Sequence, residues 1–466
     1  MVKENSVFTI KSIALKNFKC YSDTFVSFVG KNNVAKHMII MYGANGSGKT
    51  TLLESVAFLK ASINTLLQQK QLQDTIQGNG VSFSEMPVKP EFILKTLEYS
   101  LKKGSLESII KNSISLGAEG NLEMTFEFFI NDGIAVYSIV ASDTAIISER
   151  LDFPLNKNKT CCFQITNEKK YINENLVIND EYRKYLNSQI DMMYGVHSLL
   201  SIMNYDYENS SEDYIKKSIN GRFIEFLEGL NNITVYLHDS CFFDSFNGPI
   251  TNRIFNNLDI GVMNKNEKAI LENIEIALPK VIKSIFTDIK DVWFEITDDP
   301  KNMERIKYKL FVKRRINGKE YTIPFNKESS GTKKVLELIP IVLSAINGNL
   351  VIIDEYGEDM HEKLAQDILS AISECVNGQI IITTHMTGLL SYTGTGKALK
   401  EESFYFIKND PELPKTIQCL TDIEKRLHRN YNYRDRYFYN PLFEQYLPES
   451  GTRINEQLVY LSDICK

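Results

Sequence analysis

The chain lacks any paired cysteine pattern. Its seven cysteines, at positions 20, 161, 162, 241, 375, 419 and 465, are scattered and form no C-x-x-C unit. That excludes a disulfide-stapled scaffold and a zinc framework, and it points to reduced thiols in a cytoplasmic setting. Long hydrophobic runs are also missing. The apolar run Leu350 to Ile353 is closed at once by Asp354 and Glu355, far short of the roughly 20 residues a membrane helix needs, so no membrane partner is expected. No basic start leads into an apolar core and a small-residue cleavage site, which excludes a secretory signal from the expectation. Charge of one sign is not in excess: 53 Lys and Arg stand against 59 Asp and Glu, a net charge of −6 with a pI near 5.7. A strongly basic nucleic-acid coat is thereby excluded, while a local basic face is not. Heptads sustained enough for a long coiled-coil arm are absent as well. What remains, 466 residues of which 43% are hydrophobic, is enough for a large core and roughly two to three domains.

The most informative stretch is Met38 to Thr51, MIIMYGANGSGKTT. Its apolar start reads as a buried strand. Gly43, Gly46 and Gly48 let backbone N–H groups of Gly43, Ala44, Asn45, Gly46, Ser47 and Gly48 close around phosphates, Lys49 adds a point charge, and Thr50 is a ligand for Mg²⁺, with Thr51 beside it. Leu52, Val56, Leu59 and Ile63 follow at helical spacing. The loop therefore lies between a strand and a helix, the context a phosphate site requires.

Upstream, Phe8 to Lys19 is rich in β-formers and reads as an opening strand near the phosphate-loop strand, with Lys19 either reaching nucleotide or standing solvated. Gln68, Gln69, Gln71, Gln73 and Gln77 follow the first helix, and one of them is a candidate sensor of Mg²⁺ and the γ-phosphate. Leu122 to Val140, split by Asn131-Asp132-Gly133, is a hairpin, continued by Ile146 to Leu151 as an antiparallel flank. From about Lys157 to Lys290 helical patterns dominate. Tyr214 to Leu227 fits one amphipathic helix and Ile270 to Ile289 another, interrupted by Pro279. Asn317-Gly318 marks a second hairpin whose arms carry Lys307, Lys309, Lys313, Arg314, Arg315 and Lys319, either a track for nucleic-acid phosphates or a solvated face. The Arg426, His428 and Arg429 cluster reads as a solvated or phosphate-contacting patch rather than a nuclease site.

Glu328 to Lys334 opens a helix with small capping residues. Asn349 to Glu355 is then a buried strand ending in two carboxylates, and Gln379 to His385 another ending in Thr383, Thr384 and His385. Asp354 is placed to hold Mg²⁺ and Glu355 to orient or deprotonate a water. His385 is placed to hydrogen-bond near the γ-phosphate. A parallel sheet gathers such residues at the carboxyl ends of its strands.

In this order the motifs resemble an ABC-type ATPase of the SMC/RecF branch: a Walker A loop (Gly43 to Thr50), a signature-like Glu328-Ser329-Ser330-Gly331-Thr332, Walker B (Leu350 to Asp354, with Glu355) and a switch histidine, His385. More narrowly the chain is similar to the stand-alone AAA/ABC-hybrid ATPases of bacterial phage defence, of abortive-infection, PARIS- or Septu-like type, on Asn17-Phe18-Lys19, Glu149-Arg150-Leu151, the Asp354-Glu355 to His361 spacing, Thr383-Thr384-His385 with Leu389-Leu390, and the aromatic tail Tyr431 to Tyr437. It departs from transporters in Glu328, Ser330 and His361. The resemblance covers roughly the first 150 residues and the stretch from about 300 to 446, and implies an α/β fold: an ABC-type P-loop head, mostly parallel sheet with an antiparallel β flank, formed by residues 1–156 and 291–446; the helical patterns between them read as an inserted mainly helical domain at 157–290, and 447–466 as a tail. It implies ATP and Mg²⁺ as cofactors, Glu355 and His385 in catalysis, and Thr50 and Asp354 at the metal. It also implies a homo-oligomer whose heads sandwich ATP, with Ser329, Ser330 and Gly331 acting in trans. About 80 residues follow His385, fewer than the roughly 100 of a typical added enzyme domain, so a separate effector, possibly a nuclease, is expected, triggered by DNA or a phage protein. The alternative is a RecF-like DNA-binding ATPase of DNA repair.

Overall fold

The computed structural model describes residues 7–30, 33–76, 102–237, 258–300, 302–392, 399–408, 410, 413–424 and 432–446. Gln77, the Arg426, His428 and Arg429 cluster, Tyr431 and the tail 447–466 lie outside the described residues.

Three sheets organise them. The nucleotide sheet has the order β17-β16-β3-β15-β14-β9, from β3 (Met38–Tyr42), β9 (Thr234–Tyr236), β14 (Leu350–Ile353), β15 (Gln379–Thr383), β16 (Phe404–Ile407) and β17 (Ile417–Cys419). All its pairs are parallel except β16 with β17. Its central strands are rich in isoleucine and wholly buried, as a strand covered on both faces must be.

Alternate side chains sort cleanly between those faces. Ile39, Met41, Leu350, Ile352, Ile381 and Tyr405 join one core with α1 (Lys49–Ile76). Met38, Ile40, Tyr42, Val351, Ile353, Ile380, Ile382, Phe404 and Phe406 join another with α8 (Ser330–Ile346), α9 (Glu362–Cys375) and the C-terminal aromatic helix α11 (Tyr433–Tyr439). A short helix, α10 (Leu420–Ile423), follows β17. Helix α1 is buried on nearly every side: Leu53, Ala57, Phe58 and Ala61 are covered along with the expected Leu52, Val56, Leu59 and Ile63. A helix covered on nearly every side lies in the middle of a molecule, and its buried polar groups are bonded there, Lys60 to the Ile233 carbonyl and Thr65 to His197 and Ser201.

Over α1 lies the antiparallel flank, a seven-stranded sheet in the order β2-β1-β4-β5-β6-β7-β8: β1 (Phe8–Phe18), β2 (Tyr21–Ser27), β4 (Leu122–Ile130), β5 (Gly133–Ala141), β6 (Ile146–Phe153), β7 (Thr160–Thr166) and β8 (Lys170–Ile172). The Asn131-Asp132 hairpin forms as expected, with Ile130 opposite Gly133 and Asn131 at φ 50°. The opening strand β1 pairs with β2 and β4 rather than in the nucleotide sheet. Its tie to that sheet is the Gln379 side chain, which accepts from Ile10 N at 2.8 Å and donates to Ile10 O at 3.1 Å.

The stretch 157–290 does not stand apart as an inserted helical domain. Its first strands, β7 and β8, extend the flank. Its helices α3 (Asp180–Met193), α4 (Leu199–Asn209), α5 (Glu212–Ser218) and α6 (Gly221–Asn231), like α2 (Leu106–Lys111), bury Leu186, Leu199, Phe223 and Ile109 in the core of α1. The single helix expected across Tyr214 to Leu227 is two, broken at Ile219, where Asn220 caps α6 through Arg222 N. Its strand β9 joins the nucleotide sheet. The boundary at 290 falls within β11 (Ile289–Asp298), which with β10 (Ile260–Asn264), β12 (Arg305–Ile316), β13 (Lys319–Pro324) and α7 (Lys268–Ile285) makes a small unit with its own core of Leu271, Leu278, Ile282, Val292, Leu310 and Val312. The Asn317-Gly318 turn has φ of 50° and 79°, the pair of positive values a type I′ hairpin needs.

Candidate functional site

Strand register brings the site together. Met41 pairs with Thr383 and Ile353 with Ile382, so Gly43, Asp354 and His385 leave the sheet at the same rim. There α1 begins at Lys49 and its unsatisfied N–H groups open onto the loop.

In the loop, Gly46 and Gly48 have φ of 76° and 105°, backbone that side-chain-bearing residues rarely adopt. A Cβ at Gly46 would meet nothing within 4 Å, whereas one at Gly48 would lie 2.9 Å from Cys20 Sγ and Tyr21 Oη. The loop is thus open on one side and braced on the other. The brace is Tyr21, fully buried at the start of β2, whose hydroxyl donates to Gly48 O at 2.8 Å. Lys49 Nζ, 7% exposed, donates to the Gly43 and Ala44 carbonyls at 2.8 and 3.1 Å. Burial lowers its pKa to about 8, against a smaller upward pull from Asp354 and Glu355. A buried, underbalanced ammonium and the buried Ser47 hydroxyl, which has no hydrogen-bond partner, suit an incoming polyphosphate.

Thr50 Oγ1 lies 3.2 Å from Asp354 Oδ1, two hard oxygen donors of the kind Mg²⁺ takes alongside water and phosphate. Thr383 completes this corner. Its hydroxyl donates to Asp354 Oδ1 and accepts from Glu355 N at 2.9 Å, and its carbonyl accepts from Tyr356 N at 2.8 Å. One side chain therefore fixes both the Asp354 carboxylate and the backbone carrying Glu355. Glu355 itself sits at φ 52°, a left-handed conformation that costs roughly 1–2 kcal/mol for a residue with a side chain. Gly357 follows at φ 93°, where a Cβ would strike Met386 Sδ. His385 is exposed at the end of β15, and its pKa is lowered by partial burial and by Lys49, which keeps the ring neutral near pH 7.

The signature-like residues lie elsewhere. Ser329 caps α8, its Oγ accepting from Thr332 N at 3.2 Å, and both Ser329 and Ser330 are exposed. Glu328, the departure from the transporter pattern, is buried and paired through Oε2 with Arg314 Nη2 at 2.8 Å, while Arg314 Nη1 reaches Asp288 Oδ2 at 2.5 Å. Helices α1 and α8 cover opposite faces of the sheet, and Gly331 at the start of α8 lies close to the Asp359 carbonyl in the loop after Glu355. His361 caps α9, accepting from Lys363 N at 3.3 Å.

Other expectations are relocated. Gln68, Gln69, Gln71 and Gln73 lie far along α1; at about 1.5 Å per residue Gln68 is roughly 28 Å from Lys49 along the axis, and Gln69 is bonded to His197 at 2.8 Å. None of these four senses the γ-phosphate. Lys19 pairs with Glu54 at 2.5 Å. Glu149 is buried under α4, accepting from Leu199 N, Leu200 N and the Tyr137 hydroxyl, with its pKa pushed up to about 7 by burial. The resemblance marked this residue, and the structure makes it a helix anchor. Tyr21 and the double role of Thr383 escape the sequence because neither follows from a local pattern.

Among solved structures the chain is similar to SmcHead bound to the C-winged helix domain of ScpA, at 11% identity and a TM-score of 0.40, covering 89% of this chain and 100% of that one. It is also similar to the recombination mediator protein RecF of the RecFOR pathway in its ATPrS form, at 14% identity and a TM-score of 0.34, covering 82% and 94%, and in its ATP form, at 14% and 0.29, covering 82% and 93%. Likenesses this distant fix neither function nor assembly. No curated protein sequence matches the chain. The AAA ATPase domain matches from residue 9 to residue 390, most of the chain and every element of the site just described, and the chain belongs to that family.

Proposed function

We propose that the chain is an ATP-hydrolysing switch in which two copies close around ATP, the P-loop of one facing Ser329, Ser330 and Gly331 of the other, and that this state controls a separate effector in an anti-phage defence complex. The carrying observation is the division of the site between two faces. The P-loop, Thr50, Asp354 and Glu355 share one rim with α1 packed on one face, while the exposed N-terminus belongs to α8, a helix packed on the opposite face. Helix N-termini favour negative charge, so a second chain is the natural source of that missing donor set. Gly43 to Thr51 hold the phosphates, and Thr50 and Asp354 hold Mg²⁺, which when bound neutralises charge on the leaving and transferred phosphoryl oxygens. Glu355 takes the proton of the attacking water, and His385, neutral, hydrogen-bonds at the γ-phosphate. The defence role rests on the resemblance carried by Asn17 to Lys19, Thr383 to His385 and the aromatic tail. The RecF-like alternative has less support, since Arg314 of the basic hairpin is turned inward to Asp288 and Glu328, and Lys307 and Lys313 pair with Asp299 and Glu320.

The test is the solution mass of Glu355→Gln with and without ATP and Mg²⁺. ATP should double the mass, and adding Ser329→Arg should abolish the doubling. A mass unmoved by saturating ATP would overturn the sandwich. The defence role is read in the same series as phage plating on cells carrying the chain with its neighbouring genes: Lys49→Ala should abolish protection, and no protection by the wild type would discard that role.

A further inference from the structure

Lys415 touches the P-loop from outside. Its Nζ donates to Gly46 O at 3.3 Å, and its backbone is pinned by Thr24, a buried residue of β2 whose hydroxyl donates to Lys415 O at 2.8 Å. The same strand carries Tyr21, which holds Gly48 O. Strand β2 therefore braces the loop at one point directly and at another through Lys415.

The position of Lys415 along the rim decides what it meets. It precedes β17, in the connection after β16, and β16 flanks β3 on the side away from β15 and β14. The metal end of the site, Thr50 and Asp354, points toward β14. A nucleotide is a linear molecule, so with its terminal phosphates over Thr50 and Asp354 its nucleoside end leaves across the β16 side. An ammonium has three donors, of which the Gly46 carbonyl takes one, and the alkyl stem offers an apolar surface to a base face. Gly46 leaves the space beside it open.

We infer that Lys415 is a nucleoside-binding residue, anchored on Gly46 O and aimed by Thr24, which holds the ribose and base of the bound nucleotide rather than its phosphates. This rests on the reading of Gly43 to Thr51 as a nucleotide site. The test is calorimetric binding of ATP, ADP and inorganic tripolyphosphate to wild type, Lys415→Met and Thr24→Val. Lys415→Met should weaken ATP and ADP by the same factor, about tenfold for one lost contact, and leave tripolyphosphate binding and the nucleotide-free melting temperature unchanged. Thr24→Val should show the same ligand pattern at smaller size. Unchanged ATP affinity in Lys415→Met, or an equal loss for tripolyphosphate, would overturn the proposal while leaving the nucleotide site intact. A wild type that binds none of the three would overturn both.

Discussion

Lys49 carries its charge at pH 7 in a place that disfavours it. Burial brings its pKa down to about 8, and phosphate oxygens arriving beside it favour the charged form and raise that pKa. Linkage then sets the sign: in the window from about pH 8 upward, nucleotide binding takes up a proton and affinity falls as pH rises. Titration calorimetry at pH 8.5 in buffers of different ionisation enthalpy should show proton uptake that shrinks toward pH 7; buffer-independent heats at both pH values would contradict it. The loop around Lys49 was legible because its requirement is local, with positive φ at Gly46 and Gly48 and a strand and helix on either side. The role of Thr383 was not. Its bonds to Asp354 and Glu355 arise from parallel register between β14 and β15, and a single sequence does not print register.

Arg314 shows how an element can be misread from composition. On the sequence it is one of six cations on a hairpin, suited to nucleic acid as readily as to solvent. In the fold it ties β12 to Asp288 and to the buried Glu328 at the threshold of α8. Removing the guanidinium leaves a buried carboxylate unpaired, so Arg314→Met should cost roughly 3 kcal/mol, seen as a lower midpoint in denaturant, and Arg314→Met with Glu328→Gln should recover much of it. Midpoints unchanged in the single variant would show the pair to be idle. Hairpins were the most legible elements, because Asn131-Asp132 and Asn317-Gly318 demand backbone that few other residues accept. The break between α5 and α6 was hidden because Ile219 continues the apolar spacing, while its turn depends on Asn220 capping the next helix.

At the scale of the whole molecule, the parallel nucleotide sheet and antiparallel flank were readable from the order of motifs, but the independence of residues 157–290 was not. Amphipathic helices announce that they bury a face without naming what covers it. Here α3 to α6 join the core around α1, with α4 packed directly on it. The same arrangement sets α1 and α8 on opposite faces, and the proposed sharing of each site between two chains rests on that division. That sharing is tested most directly by mixing Lys49→Ala with Ser329→Arg, each inactive alone. A mixed pair holds one site built from an intact P-loop and an intact signature, so mixing should restore ATP hydrolysis. If each variant is folded and the mixture remains as inactive as its parts, the signature does not act across the interface and the account of a shared site is wrong.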